Sequence, residues 1–415
     1  MKELNYAALF IPLFFLFVWL ERLCISHAMK KKNAVLESSV SNISIGVAER
    51  LINLFTGILF YNLFHYIYHH FAIYSIPSSW WVWVLLLLTA DLVWYWYHRL
   101  GHRINLFWAA HIVHHQSENF NFTAAARITT FQAFIRYGFW AALPLIGFHP
   151  DMVISILLVH GIYSFFTHTE AIPSPKWMEY VFITPSLHGV HHASNKKYLD
   201  KNFGDVFVFW DKIFGTFQQE EEKPVYGLTH PLNSYSFLWQ HFHYFMEIGE
   251  AFRRGKNTRE KWDALFGGPE KMDQDIRPYL ETRFMQHKVR STQALHESLR
   301  IYLILQILSC VVLLTLTTFY FDFLGITSKV FILFLTLLTL INCGALMEQR
   351  KWIFYLEIAR LHAFLLFLFH INDQLDIYPV MAISMILAQY ILQVKKRYYR
   401  WLYSGRTSLR NFFNP

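Results

Sequence analysis

The sequence predicts an all-α, polytopic integral membrane bundle. Its apolar residues lie in long uninterrupted runs, its basic residues gather in the connections between those runs, and its histidines fall into spaced clusters. Of the 415 residues, 54% are hydrophobic and 16% charged, more apolar than a soluble domain of this size needs. Apolar runs cover residues 5–24, 43–65, 79–97, 300–321, 330–347, 352–371 and 377–394. A helix crosses a bilayer in about 20 residues, so these runs read as spans. Two shorter stretches, from Phe131 to Phe148 and over 152–166, are separated by Gly147, His149 and Pro150. They read as a hairpin that either just spans or re-enters the bilayer. Glu21-Arg22 follows the first run where a signal peptide would carry small residues, so that run reads as a retained anchor.

The formal charge of +8 is unevenly placed. Bases collect in Lys30-Lys31-Lys32, in 253–300, around Arg350-Lys351 and in Lys395-Lys396-Arg397. Basic connections between apolar runs mark the cytosolic side of a membrane protein. No basic helix or RNA-binding motif accompanies the charge, so no nucleic-acid partner is expected. Cys24, Cys310 and Cys343 form no CxxC pair, which leaves neither a disulfide framework nor a thiolate metal site. Residues 168–300 form the main polar segment, and its part 253–300 reads as a solvated helical connector. Two blocks follow: residues 1–300, with every histidine cluster between 98 and 192, and residues 301–415, with about four apolar runs and a basic tail.

The chemistry lies in the histidines, of which there are 22. His98 and His102 form an HxxxH, His111-His114-His115 an HxxHH, and His188-His191-His192 a second HxxHH. On a helix, residues i, i+3 and i+4 share a face, so each cluster can aim two or three imidazoles together. One ion takes about four to six ligands. Eight imidazoles therefore imply two metal ions, and they sit beside the spans, where unpartnered polar groups are costly. His168-Thr169-Glu170 follows the hairpin, offering His168 as a ninth ligand and Glu170 as a carboxylate beside the site. Asp91 lies within a span, seven residues before His98. Two helical turns, about 10 Å, separate them. Asp91 is expected either to accept a ring N–H from a ligand histidine or to make a polar helix–helix contact. The remaining histidines, His160 among them, are expected to pack or bond structurally, with His230 a weaker candidate.

Three clusters of this type between spans resemble the fatty acid hydroxylase and sterol desaturase superfamily, as does Trp210-Asp211-Lys212-Ile213-Phe214-Gly215-Thr216. Tyr95-Trp96-Tyr97-His98-Arg99, Phe107-Trp108-Ala109-Ala110-His111, Thr184-Pro185-Ser186-Leu187-His188, Asp200-Lys201-Asn202-Phe203-Gly204 and Val225-Tyr226-Gly227-Leu228-Thr229-His230-Pro231 resemble the alkylglycerol monooxygenase family more closely. The resemblance is dense over about 80–240. It implies that the eight clustered histidines hold two iron ions and that the activity is cleavage of a lipid ether bond with O2 and tetrahydrobiopterin. The implied partners are an ether lipid, O2 and the bilayer; no oligomeric state is implied. Arg103 stands where the animal enzymes carry an acid just after the second histidine. Another superfamily oxygenase, acting on a sterol or fatty acyl chain, would use the same ligands. A membrane metal transporter would spread its ligands along a path, and a zinc hydrolase would show HExxH, which this sequence lacks.

The charge pattern also predicts an orientation. Lys30-Lys31-Lys32 keeps the end of the first run in the cytosol, residues 66–78 hold no Lys or Arg, and the run 79–97 returns to deliver His98 to the cytosolic side. The membrane is the endoplasmic reticulum in a eukaryote and the inner membrane in a bacterium. In intact cells, an impermeant thiol reagent is expected to label a cysteine placed at Ser75 and to spare those at Ser117 and Ser194; the reverse pattern overturns the orientation.

Overall fold

A computed structural model describes residues 3–28, 34–284, 295–372 and 376–403. Lys30-Lys31-Lys32 lies outside the described residues. The helices are α1 (Phe10–Ala28), α2 (Ala34–Phe71), α3 (Trp80–Arg103), α4 (Asn105–His115), α5 (Phe122–Ala125), α6 (Thr130–Trp140), α7 (Ala142–Ile146), α8 (Pro150–Thr167), α9 (Pro185–His191), α10 (Phe209–Ile213), α11 (Phe237–Arg254), α12 (Thr258–Phe266), α13 (Ile276–Phe284), α14 (Glu297–Phe319), α15 (Ile326–Met347), α16 (Ile353–Ile371), α17 (Tyr378–Ile391) and α18 (Val394–Tyr403). Among the described residues, extended backbone pairs only at two isolated bridges, so the fold is all-α as expected.

Among the described residues, seven helices are long and apolar enough to cross a membrane: six at the expected runs, and α8. The sequence reading differs from the structure at two places. The second leg of the 131–166 hairpin is long enough for a span, because Pro150 starts α8 at its first position and His149 caps it, adding residues the apolar count leaves out. The run 377–394 is not one helix. Gln393 takes a left-handed φ of 48°, so α17 stops after 14 residues and the basic α18 begins as a separate element.

The chain divides into two compact units. The larger holds residues 13–232 and 240–285. Its core packs Val82, Leu86 and Ala90 of α3 against Trp140, Leu143 and Val153. The hairpin break is pinned by the α2–α3 connection: the amides of Ile73, Tyr74 and Ile76 donate to the carbonyls of Leu145, Ile146 and Gly147. Gly147 sits at φ 125°, and a Cβ there would fall 2.0 Å from the Tyr74 carbonyl oxygen, so no other residue fits. A second cluster, Ile45, Ala109, Ile112, Val113, Tyr244 and Ile248, seats α4 against α2 and α11.

The smaller unit holds residues 1–12, 233–239 and 286–415. Leu305, Leu308, Val312 and Leu316 of α14 are exposed, as are Ile383 and Leu387 of α17; a bilayer covers such faces. Inside lies an ion pair. Arg360 donates to Glu357 at 2.5 Å, to Gln306 at 2.6 Å and to Thr339 at 2.7 Å. Glu357 also accepts from Asn342 at 2.6 Å and from Tyr302. The pair thus ties α14, α15 and α16 together. Removing one partner of such a pair typically costs about 3–5 kcal/mol, whereas replacing both with apolar residues is close to neutral. Glu357→Leu is expected to lower the apparent unfolding temperature of detergent-purified protein, and Glu357→Leu with Arg360→Met to recover most of it. A double variant no more stable than the single one would reject this assignment.

Candidate metal centre

α3 ends at Arg103, and after the extended Ile104 the chain starts α4 at once. Asn105 fixes that corner, accepting from the Tyr244 hydroxyl at 2.7 Å, while its amide donates to the Gly267 carbonyl. The turn brings His98 and His102 of α3 onto His111, His114 and His115 of α4. α9 starts at a Thr184 cap with Pro185 in the first turn and carries His188 and His191, with His192 at its end. His168 terminates α8.

These nine imidazoles form two groups. His98, His102, His111, His115 and His191 make the first, and His114, His168, His188 and His192 the second; within each group one ligand atom per residue lies within 4.8 Å of every other. Each HxxHH divides between the groups. α4 gives its i and i+4 histidines, His111 and His115, to the first group and His114 to the second. α9 gives His188 and His192 to the second group and His191 to the first. The groups adjoin, with the His115 and His192 rings stacked at 4.4 Å.

The nitrogens are spaced for a shared ion. Nε2 of His111 lies 3.1 Å from Nε2 of both His98 and His115. In the second group the His114–His168, His168–His188 and His188–His192 separations are 3.1, 3.0 and 3.1 Å. Two imidazoles on one ion at about 2.1 Å and at right angles hold their nitrogens about 3 Å apart. Nε2 of His102 and of His191 is buried with no hydrogen-bond partner, as a ligand atom awaiting a cation would be. Burial, reinforced by neighbouring imidazoles, holds His111, His114, His115, His188, His191 and His192 well below the usual histidine pKa. Burial lowers His168 to about 4. The rings are therefore neutral at pH 7, the form that binds a metal. On spacing, orphaned atoms and protonation, the residues fit two ions.

In four of the rings the opposite nitrogen is held by a carbonyl. Nδ1 of His98 donates to Phe203, of His114 to Arg127, of His168 to Ser164 and of His191 to Lys201, at 2.9, 3.3, 2.6 and 2.8 Å. Such bonds fix ring orientation and tautomer. Two of the four acceptors lie in the loop 200–208. Its conformation is set by Asp211, which accepts from the amides of Phe203 and Gly204 at 2.7 and 2.8 Å and from the Thr216 hydroxyl at 2.7 Å. A Cβ on Gly204 would sit 2.6 Å from the Phe207 carbonyl oxygen and 2.9 Å from Asp211, so the turn closes only over glycine. Asp200 and Asn202 take left-handed φ values of 58° and 53° in the same turn.

The structure brings all eight clustered histidines together and adds His168 to them. Asp91 faces elsewhere. It accepts from the amides of Val206 and Phe207 and from the Trp210 indole, at 2.9, 3.1 and 3.0 Å. Its expected bond to a ligand histidine is not made; both its oxygens accept from the segment 206–210 instead. Glu170 is exposed and accepts from the Tyr226 hydroxyl at 3.2 Å. Tyr226 stacks on Phe120 at 4.8 Å, and Phe120 in turn lies against His168, His188 and His192. Arg103 pairs with Asp200 at 3.2 Å, and that carboxylate also lies 3.7 Å from Nδ1 of His102. Of the other histidines, His362 bonds the carbonyl one turn back and His230 offers only its carbonyl to Arg277.

Sequence reasoning missed two supports. Glu21 of α1 is buried, accepts from the Phe122 amide at 2.9 Å and bonds the Thr169 hydroxyl beside His168. A carboxylate next to an apolar run was the available signal, the same one that singles out Asp91. Arg127 is fully buried; it donates to the Val113 carbonyl at 2.6 Å and to Ser41, Asn42, Gln116 and Gln240. It thereby fixes the carbonyl that holds His114. No local pattern marks it.

Residues 83–216, which contain all nine histidines and Asp211, match the family model for fatty acid hydroxylase. The chain thus matches that model over about a third of its length. It is similar to alkylglycerol monooxygenase of Homo sapiens, 36% identical over 62% of this chain and 58% of that protein. The Xenopus tropicalis protein of the same name is 33% identical over 62% and 57%, and that of Danio rerio 32% over 55% and 52%. The chain thus spans a little over half the length of these relatives. No solved structure matches it.

The loop assignment is testable. Loss of a partner that orients a ligand typically costs about 10–100-fold in metal affinity. Asp211→Ala is expected to weaken metal retention by the first group by that factor and to spare the second, read as ions per chain across a chelator titration. Equal loss from both groups would reject it.

Proposed function

We propose that this chain is a membrane-bound di-iron monooxygenase that cleaves the ether bond of an alkylglycerol, using O2 with tetrahydrobiopterin as reductant. The observation that carries the reading is the pair of adjoining imidazole groups, neutral, buried and spaced for two ions. Likeness to the alkylglycerol monooxygenases supports the substrate and the reductant. When bound, the metal pair supplies reductive activation of O2.

The chain's own residues do the rest. His98, His102, His111, His115 and His191 would hold one ion, and His114, His168, His188 and His192 the other. Carbonyl acceptors on Nδ1 of His98, His114, His168 and His191 keep those four Nε2 atoms aimed inward. Phe120 covers the second group and keeps water from it. Phe122 and Phe165, stacked at 4.5 Å beside His168, offer an apolar wall for an alkyl chain. Hydroxylation of the carbon next to the ether oxygen gives a hemiacetal. Its collapse yields a fatty aldehyde and a free glycerol hydroxyl; the second oxygen atom leaves as water with two electrons and two protons from the reductant side. The histidines face the cytosol in this reading, where a soluble pterin is available.

Purified protein is expected to convert an alkylglycerol to fatty aldehyde only with O2 and tetrahydrobiopterin and to contain about two iron ions. Turnover of a sterol or fatty acyl substrate in its place would move the chain to another branch of the superfamily. His115→Ala and His192→Ala, one from each group, are each expected to abolish turnover while the protein still inserts. Clear activity in either at wild-type expression would reject the ligand assignment.

A further inference from the structure

Outside the two imidazole groups, the larger unit holds a buried cluster of one histidine and two carboxylates that the proposed function does not use. His160 of α8, Asp205 of the loop and Asp91 of α3 are 1%, 4% and 0% exposed. Nδ1 of His160 lies 2.6 Å from the Asp205 carboxylate and 3.7 Å from that of Asp91. Polar groups this deep among apolar spans are retained for a reason.

The composition, one imidazole and two carboxylates, is one that a cation could take. The spacing argues otherwise. Atoms sharing an ion at about 2.1 Å stand about 3 Å apart, as they do in both imidazole groups. A separation of 2.6 Å is that of a charge-assisted hydrogen bond, with a proton between nitrogen and oxygen. Both Asp91 oxygens, moreover, already accept N–H bonds from the loop and from Trp210.

We propose that the His160–Asp205 hydrogen bond, backed by Asp91, is a latch that sets the orientation of His98 and His191 in the first imidazole group. The path is short. Asp205 is gripped by α8 through His160, and the next two amides, of Val206 and Phe207, are gripped by α3 through Asp91. This fixes the downstream end of the stretch whose Phe203 and Lys201 carbonyls hold Nδ1 of His98 and His191. A second contact runs through Trp94, whose ring lies parallel to His160 at 6.0 Å and edge-on to His98 at 6.4 Å. His160 and Asp205 touch no ligand atom; they are positioning residues acting through the loop. The second group draws its Nδ1 partners from Arg127 and Ser164, outside that loop, so the latch serves one group only.

The inference rests on the two-ion reading above, and the test separates the two. Detergent-purified variants are loaded with cobalt(II), and ions per chain and visible absorption are measured. Asparagine places an amide N–H where Nδ1 stands, whereas leucine offers no donor. The wild type and His160→Asn are expected to hold about two ions with the same spectrum. His160→Leu is expected to hold about one, with the first group's share of the absorption gone. Asp205→Ser, which leaves α8 untouched, is expected to do the same and stands in if the leucine variant does not fold. Two ions and a wild-type spectrum in the leucine and serine variants would overturn the latch. Three ions in the wild type, falling to two in Asp205→Ser, would overturn it in favour of a cation site. One ion in the wild type that is still lost in His160→Leu would reject the two-ion reading and keep the latch; one ion unchanged in every variant would overturn both.

Discussion

Nine imidazoles can share a dry volume only if each sheds its extra proton and each ring finds use for its nitrogens. Protonated, the cluster would repel itself at separations where charges in a poorly screened interior interact strongly. Neutral, each ring offers one donor and one acceptor. The chain gives the donor, in four of the nine, to a backbone carbonyl and turns the acceptor inward. Much of the larger unit follows from that constraint. The corner at Asn105 folds α4 onto α3, the cap at Thr184 starts α9 where its histidines can reach both groups, and Glu21 and Arg127 hold the segments around His168 and His114.

The spacing of the ligands was legible because helix geometry is periodic. Residues four apart share a face, so His98 with His102, His111 with His115 and His188 with His192 each fall in one group. The i+3 member of each HxxHH goes to the other group, a division that depends on how two helices cross and that no single-chain pattern carries. The spans were legible for a like reason, apolar length. That count failed where the backbone decides: at Pro150, which lengthens α8, and at Gln393, which ends α17.

The supports were mostly illegible. Asp91 announces itself by being charged within a span, but its hydrogen-bond donors lie 115 or more residues away, in and just after a loop whose path is fixed by Gly204 and Asp211. His160 looks in sequence like any histidine in an apolar helix. Its partner Asp205 looks like any loop acid. Only their meeting distinguishes them, and contacts between distant segments are what a sequence read alone leaves open. Arg103 was visible as a departure from the pattern that the sequence otherwise resembles. The structure supplies its counterpart in Asp200, a carboxylate reaching the same neighbourhood from a different segment.

Ligands and tuning elements are carried by different kinds of structure. The imidazoles project from α3, α4, the end of α8 and α9, elements whose packing leaves little freedom to vary. Two of the carbonyls that orient first-group rings, and the Asp200 carboxylate beside His102, lie between Asp200 and Asp211, outside the helices that bear the imidazoles. Substitutions there would reach the first group's rings through backbone carbonyls and one carboxylate. Such modularity gives evolution a cheap dial. The surroundings of a buried imidazole group can thus vary by exchange of loop residues while the helices that bear the imidazoles stay as they are.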